Sequence, residues 1–223
     1  KEFNRFHKPR ELKKIKLLKK YVQFENKKIL ESNCGAGVLL SILKRKSKTT
    51  SGLDNKIYRN HLIENGHNHF SSLNEIIKKK KKFNLIFSLS ELEHKYNPID
   101  FLKKFKKILD RNGELIIRVP NFDNIYKIFL GNLFFKYDYR TSHNFYFSIK
   151  NLNLLFKKTR FQIKNIIGFQ EYDINHLLQY IKTKKRVSGK YKKIFRKKIA
   201  NYINENIEKN YKSTSLIYIL KNK

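Results

Sequence analysis

Short apolar runs alternate with amphipathic segments through the first half of the chain. The clearest amphipathic segment, residues 98–110, carries its apolar residues on one helical face, and we expect residues 111–113 to end it with a turn. Strands that alternate with helices at this spacing predict right-handed βαβ units and a mostly parallel α/β sheet covered by helices on both faces. We predict strands over residues 28–32, 49–54, 69–73, 83–89 and 114–119.

The pattern changes after residue 121. Residues 122–147 are rich in aromatic side chains and predict a lid or substrate-facing insertion, followed by a helix over 148–158 that Ser148 caps. Two later strands, residues 161–169 and 213–220, bring the sheet to seven strands. Between them, Tyr191–Lys209 has an apolar stripe opposite a basic face, which indicates a helix packed on the domain or, alternatively, a helix for a membrane surface or an anionic partner.

Charge is the most unusual property of the composition. The chain has 51 Lys and Arg against 18 Asp and Glu, a net charge of +33, which favours nucleic acid or an anionic membrane as a partner. Most of the basic residues are lysines, and they accompany abundant Ile, Asn, Phe and Tyr, a bias typical of low-GC coding. Because bidentate readout of phosphates and bases uses Arg, the charge alone does not make nucleic acid the preferred partner.

Other features of the composition narrow the class. A single cysteine, Cys34, excludes an internal disulfide framework and any zinc site built from several cysteines. No apolar run approaches the roughly 18 residues that cross a bilayer, so we expect no transmembrane segment and a cytoplasmic protein, with peripheral membrane contact left open. The oligomeric state is not predicted.

A glycine-containing turn joins the first strand to the next helix. Gly35 and Gly37 let the backbone approach a ligand closely, and Glu31 precedes them inside the strand. Asp54 ends the second strand, where an acid accepts hydrogen bonds from ribose hydroxyls. A dinucleotide site would need a third glycine where Leu40 stands, so the turn favours an adenosine-type ligand without phosphates.

These segments, in this order, resemble the motifs of class I S-adenosylmethionine-dependent methyltransferases. Residues 29–37 resemble the first motif, residues 52–54 the second, residues 83–94 the fourth strand with its Glu-His pair, and residues 119–121 the end of the fifth strand. Residues 142–148 and 170–177 are similar to segments of a bacterial subgroup that is often linked with cell-surface sugar biosynthesis.

Two residues of the first motif depart from the family pattern. Glu31 stands for the usual Asp, and Asn33 stands for the first glycine of the turn. Asparagine is the residue that best tolerates positive φ after glycine, so the turn can keep its shape.

The resemblance implies a Rossmann-like fold of the class I methyltransferase type and S-adenosylmethionine as the cofactor. Glu93 is expected near the cofactor, with His94 as the base or the group that orients the acceptor, although a hydrogen-bonded pair that only holds the loop is the alternative. Candidate acceptor contacts are Asn121, His143 and His176. Expected cofactor contacts are Glu31, Asn33, Cys34, Gly35, Gly37, Leu53, Asp54, Ser72, Leu73, Ser88 and Leu89.

No metal site is expected. His61, His67 and His69 lack a carboxylate or cysteine at a recognised spacing and are interpreted as loop histidines. Cys34 occupies a small position of the turn and is interpreted as structural rather than as a nucleophile.

A single domain is expected, since 223 residues are too few for two full ones. We predict methyl transfer to a small-molecule acceptor such as a sugar or a cell-surface polysaccharide precursor. The alternatives are a nucleic-acid methyltransferase, although residues 88–91 lack the Asn-Pro-Pro-Tyr-like sequence typical of one, and an inactive adenosine-binding or membrane-surface module. The expected parts are a leading helix (8–26), a cofactor-binding core (27–121), a lid on the acceptor side (122–160), and C-terminal strands (161–223) with a basic helical insertion (174–210).

Overall fold

A seven-stranded sheet forms the centre of the computed structural model, which describes residues 2–185 and 192–222. The strand order is β3-β2-β1-β4-β5-β7-β6; β1 to β5 pair in parallel, and β7 runs antiparallel to β5 and β6. The predicted Rossmann-like, mostly parallel α/β fold is confirmed. The strands are β1 (Lys28–Ser32), β2 (Thr49–Leu53), β3 (Asn68–Phe70), β4 (Phe83–Leu89), β5 (Leu109–Pro120), β6 (Phe161–Phe169) and β7 (Ser215–Asn222).

Helices cover both faces of this sheet. Short 3₁₀ turns over Lys56–Tyr58 and Leu92–His94 supplement them. Within the described ranges, no helix is long and apolar enough to cross a membrane. The α-helices are α1 (Glu2–Leu18), α2 (Val38–Leu43), α3 (Arg59–Glu64), α4 (Leu73–Lys78), α5 (Pro98–Ile108), α6 (Ile125–Leu130), α7 (Leu133–Asp138), α8 (Ile149–Lys158), α9 (Ile174–Thr183) and α10 (Lys197–Lys209).

Alternating side chains of the central strands supply two cores. In β1, Leu30 faces the core beneath α4, α5 and α8, and Ile29 faces the core beneath α1, α2 and α3. Burial on both faces explains why the central strands appear in the sequence as continuous apolar runs. A third cluster joins α6, α7, α9 and α10 through Tyr126, Phe134 and Leu177, and we call these four helices the cap.

The third strand is shorter than predicted. β3 ends at Phe70, so the expected strand over residues 69–73 is wrong at its C-terminal end. The Ser72 hydroxyl accepts the backbone N–H of Glu75, and the Glu75 carboxylate accepts that of Ser71. These two reciprocal hydrogen bonds between side chains and backbone N–H groups form a capping interaction at the start of α4, which begins at Leu73. This helix was not predicted from the sequence.

Two other predicted boundaries are wrong. Residues 111–113 do not end a helix with a turn; they lie inside β5, whose pairing with β4 is irregular between Phe83 and Leu85. A Cβ on Gly113 would come 2.8 Å from the Leu109 side chain, so glycine permits this close approach. The basic helix begins at Lys197, and Tyr191 lies outside the described residues.

The apolar stripe predicted for that helix is also only partly buried. Ala200 and Ile207 are the buried residues of α10, while Ile199 and Tyr202 of the predicted stripe are exposed. The N-terminal cap of α8 agrees with the prediction, since the Ser148 hydroxyl accepts the Asn151 N–H.

Candidate functional site

The turn after β1 is held against the end of β2. Asn33 has φ 57° and donates its N–H to the Leu53 carbonyl at 2.8 Å. Gly35 has φ 52° and donates its N–H to Asp54 Oδ2 at 2.6 Å, and Asn55 N–H donates to Asp54 Oδ1 at 2.6 Å. Asparagine therefore adopts the left-handed conformation that the family pattern assigns to glycine, and the half-buried Asp54 carboxylate fixes the turn.

A cavity of about 500 Å³ lies on one side of the turn, and we call it the Asp54 cavity. It opens where β1, β2 and β3 end, as expected for a parallel sheet. Each Asp54 oxygen accepts one backbone N–H and retains a second lone pair for a ligand hydroxyl. Its walls include five predicted cofactor contacts: Asn33, Leu53, Asp54, Ser72 and Leu73.

A second cavity of about 300 Å³ lies on the other side of Asn33 and is called the Glu31 cavity. Glu31 is buried there, and its Oε2 has no hydrogen-bond partner among the described residues. Burial, and then the nearby Glu11 carboxylate, raise the pKa of Glu31 well above its usual range. No atom lies within 4 Å of the position that a Cβ of Gly35 would take, so the backbone is open to a ligand. Leu89 and Cys34 also line this cavity.

Two predicted cofactor contacts face away from these cavities. Gly37 has φ 68°, and a Cβ there would lie 2.7 Å from Leu62 Cδ2, so this glycine serves the packing of α3. The fully buried Ser88 hydroxyl donates to Glu91 Oε2 at 2.9 Å. Neither residue lines the two cavities, because the motif fixes a position in the turn or strand but not the direction of its side chain, and contact of either residue with the cofactor stays a prediction.

Cys34 is a buried thiol. Burial, and then the Glu31 carboxylate, raise the pKa of this thiol above its usual value, so it remains protonated. A Cβ on Gly52 would come 2.6 Å from Cys34 Sγ, which shows how tightly the sulfur packs between β1 and β2. These facts support a structural role.

The third cavity, of about 440 Å³, lies between the end of β4 and the cap. We call it the cap cavity. Glu93, His94 and His143 line one part of it, and Tyr126, Tyr172 and His176 contribute aromatic surface. Its size and its mixture of aromatic and polar groups are typical of a small-molecule site.

Glu93 and His94 form the polar end of the cap cavity. Glu93 is only 1% exposed, neither carboxylate oxygen has a hydrogen-bond partner within the described ranges, and burial raises its pKa. His94 Nδ1 lies 2.7 Å from the Ser142 carbonyl oxygen. Because a carbonyl only accepts, Nδ1 carries the hydrogen in a neutral His94 ring, and Nε2 keeps its lone pair.

Residues 142–145 are clamped onto this pair. Asn144 and Phe145 donate their backbone N–H groups to the Glu93 carbonyl at 2.9 and 3.1 Å, and Asn144 Nδ2 donates to the His94 carbonyl at 2.8 Å. The His143 ring lies 4.9 Å from the His94 ring, edge to face. Burial, and then His94, lower the pKa of His143 to about 4, so this ring is neutral at pH 7.

The other two predicted acceptor contacts, His176 and Asn121, differ in their position relative to the cap cavity. His176 lines the cap cavity, where its Nδ1 lies 2.9 Å from the Tyr126 hydroxyl and its ring stacks on Tyr172. Asn121 does not line this cavity: its Nδ2 donates to the Tyr211 and Ser213 carbonyls at 2.9 and 3.0 Å, and its contact with a substrate stays a prediction. Asn121 therefore ties the end of β5 to the start of β7.

Four residues that the sequence analysis missed separate the Glu31 cavity from the cap cavity. Arg10, Ser90, Arg118 and Glu171 line both. The Arg118 guanidinium contacts the Ser90 hydroxyl and the Glu171 carboxylate and donates to the Ser215 hydroxyl at 2.8 Å, while Arg10 lies 3.5 Å from Glu171. A single charged residue inside the apolar run of β5 was the signal for Arg118; Arg10 and Glu171 have no comparable signal.

Comparison with known proteins agrees with this geometry. Residues 4–165 match the family model described as "Methyltransferase domain". The chain is 27% identical over 172 residues to the tRNA U34 carboxymethyltransferase of Nautilia profundicola, covering 72% of this chain and 56% of that protein. It is 29% identical over 126 residues to the ubiquinone biosynthesis O-methyltransferase of Pelagibacter ubique, covering 52% of each. The chain thus spans about half the length of these curated relatives.

Solved structures share the fold. A crystal structure of an S-adenosylmethionine-dependent methyltransferase from Thermotoga maritima superposes with a TM-score of 0.62 at 15% identity, over 99% of this chain and 91% of the other. At that identity the likeness concerns the fold alone. It extends the agreement beyond residue 165, where the family match ends, to β6, the cap helices α9 and α10, and β7.

Proposed function

The chain belongs to the S-adenosylmethionine-dependent methyltransferase family, and from that premise we propose that it methylates a small-molecule acceptor held in the cap cavity. A hydroxyl-bearing acceptor, such as a sugar or a cell-surface polysaccharide precursor, suits the polar groups at Glu93 and His94. The membership of a bacterial subgroup linked with such precursors is part of this proposal.

The residues around the turn fit the cofactor. Asp54 keeps lone pairs for ribose hydroxyls, and the unpaired Oε2 of the buried Glu31 suits an amino group. The open side of Gly35 leaves room for the chain that joins these two groups. We therefore assign nucleoside binding to the Asp54 cavity and binding of the amino-acid part to the Glu31 cavity.

Alignment is the main task of the protein in this reaction. When bound, S-adenosylmethionine supplies a methyl group on a positively charged sulfur. Arg118 and Glu171 form the wall shared by the Glu31 and cap cavities, so donor and acceptor meet there. His94 Nε2 accepts the acceptor's proton, and Ser142 keeps the ring oriented through Nδ1. The single observation that carries the proposal is this shared wall beside the Glu93-His94 pair.

Transfer from radiolabelled S-adenosylmethionine tests the proposal. The purified chain is incubated with sugar and nucleotide-sugar acceptors in one arm and with total RNA in another. We expect label in the small-molecule fraction, lost in His94→Ala but retained in a matched His61→Ala control, since His61 is an exposed residue of α3. Cofactor binding without transfer to any acceptor would instead favour the inactive adenosine-binding module.

A nucleic-acid acceptor is the second candidate. The net charge of +33 and the likeness to a tRNA-modifying enzyme favour it. Exposed basic residues of α10, such as Lys197 and Lys198, would then contact phosphates. Label in RNA, with binding that weakens steeply as salt rises and depends on sequence, would replace the small-molecule proposal.

A further inference from the structure

Three potential metal ligands meet at the polar end of the cap cavity. One ligand atom each from Glu93, His94 and His143 lies within 4.8 Å of the others. Ligand atoms that share one ion at bond lengths near 2.1 Å lie roughly 3 to 4 Å apart, so only a small contraction is needed. No metal site was expected from the sequence, because His143 is distant from the other two along the chain.

The donor atoms lack other partners. Both oxygens of Glu93 and Nδ1 of His143 are buried and form no hydrogen bond within the described parts of the chain. A buried carboxylate without a partner is unfavourable unless a positive charge or a proton neutralises it. A bound cation would supply that charge and use both groups at once.

The surroundings hold these ligands in place. The Ser142 carbonyl accepts the Nδ1 hydrogen of His94 and leaves Nε2 to coordinate, which is the usual arrangement behind a metal-bound histidine. Asn144 bonds the carbonyls of both Glu93 and His94, so the loop carrying His143 is fixed against them.

We propose that Glu93, His94 and His143 bind one divalent first-row transition-metal ion, whose remaining positions face the cap cavity. Two imidazoles and one carboxylate suit ions such as Mn²⁺, Fe²⁺, Co²⁺ or Zn²⁺ better than Mg²⁺. The positive Arg118 and Arg140 side chains also line this cavity, as does the acidic Asp138.

The role of this ion rests on the proposed methyl transfer. An acceptor hydroxyl bound to the ion has a lowered pKa and loses its proton to water, so His94 serves this deprotonation as a ligand when the ion is bound, and Nε2 takes the proton directly only when it is not. The oxygen lone pair then forms the bond to the methyl carbon, and the electron pair of the broken carbon–sulfur bond stays on sulfur. Charge balances, because an alkoxide and a sulfonium become an ether and a thioether.

Titration of the untagged full chain with Co²⁺, followed by visible absorption and by Zn²⁺ competition, tests the site. We expect one equivalent of Co²⁺ with bands that Zn²⁺ abolishes and Mg²⁺ does not. His143→Gln and Glu93→Gln should each weaken binding by roughly 100-fold, and Asn144→Ala by about tenfold. His61→Gln, at an exposed histidine outside the cluster, should bind like the wild type.

Equal binding by wild type and both cluster variants, or no binding at all, would overturn the site. Circular dichroism identifies a variant that has not folded. In that case the Co²⁺ affinity of Asn144→Ala, which changes an exposed side chain, is compared with that of the wild type instead. Binding of S-adenosylmethionine is measured separately, because no turn residue belongs to the cluster. If the wild type binds Co²⁺ at the cluster but does not bind S-adenosylmethionine, the proposed function is refuted and the metal site is retained.

Discussion

The turn side and the cap side of the molecule are built differently. The turn side, Asn33 to Gly35 with Asp54, comes from the ends of two adjacent parallel strands and is fixed by one backbone–backbone hydrogen bond and two that the Asp54 carboxylate accepts. The cap side brings together Glu93 with residues 142–145, and Arg118 with Glu171, from distant parts of the chain. In the proposed function, binding of the donor therefore depends on the sheet, whereas choice and activation of the acceptor depend on the cap side.

The largest expected effect separates activity from binding. His94→Ala should lower methyl transfer roughly 100-fold or more, because the side chain that takes the acceptor's proton, or holds the ion that acidifies the acceptor, is lost, while the affinity for S-adenosylmethionine stays within about threefold. Labelled-donor transfer and calorimetry measure the two quantities. A loss of cofactor affinity as large as the loss of transfer would contradict the assignment of donor binding to the turn side and acceptor activation to the cap side.

Alanine substitutions at the two glycines of the turn should affect different properties, stability in one case and cofactor affinity in the other. Gly37→Ala places a methyl 2.7 Å from Leu62 Cδ2 at φ 68°, so we expect about 2 to 3 kcal/mol lower stability. Gly35→Ala has φ 52° but free space, so it should lower stability by only about 1 kcal/mol and reduce cofactor affinity instead. Urea unfolding and calorimetry on both variants compare them, and the opposite ranking in stability would contradict the assigned roles.

The cap side should respond to acid through His143. Its pKa is lowered from 6.5 to about 4 by burial, so the unfolded chain takes up a proton before the folded one does. Stability from this group is present above pH 6.5 and is lost as the pH falls toward about 4. The free energy of unfolding, measured with urea between these pH values, should fall more steeply with falling pH for the wild type than for His143→Gln. An equal pH dependence in the two proteins would refute this role of His143.

Helix caps should show the smallest effects. Ser72→Ala and Ser148→Ala each remove a hydroxyl that accepts a helix N–H, so both should lower stability by about 1 kcal/mol. Ser72 also lines the Asp54 cavity, so only its variant should change cofactor affinity, by about threefold or less. A larger effect on affinity from Ser148→Ala would mean that the two sides are coupled through α8.

The different construction of the turn side and the cap side also explains which site residues could be predicted from the sequence. Glu31 lies near the end of a strand that periodicity locates, and Asp54, Glu93 and His94 follow such strands, so their position at the sheet edge was predictable from periodicity together with the family resemblance. Gly37, Ser88 and Asn121 do not line the cavities for which they were predicted, because spacing does not determine which way a side chain points. The family resemblance of residues 142–148 singles out this segment, but its hydrogen bonds to the carbonyls of Glu93 and His94 come from two backbone N–H groups and the Asn144 side chain and follow no sequence pattern.

One calorimetric titration tests the central claim, that the donor product depends for its binding on the turn side and not on the Glu93-His94 pair. S-adenosylhomocysteine is titrated into the wild type, Asp54→Ala and Glu93→Gln. We predict one-to-one binding by the wild type, weakening of roughly 100-fold in Asp54→Ala, about 2.8 kcal/mol, and less than about threefold change in Glu93→Gln. No binding by the wild type, or weakening in Glu93→Gln as large as in Asp54→Ala, would contradict it.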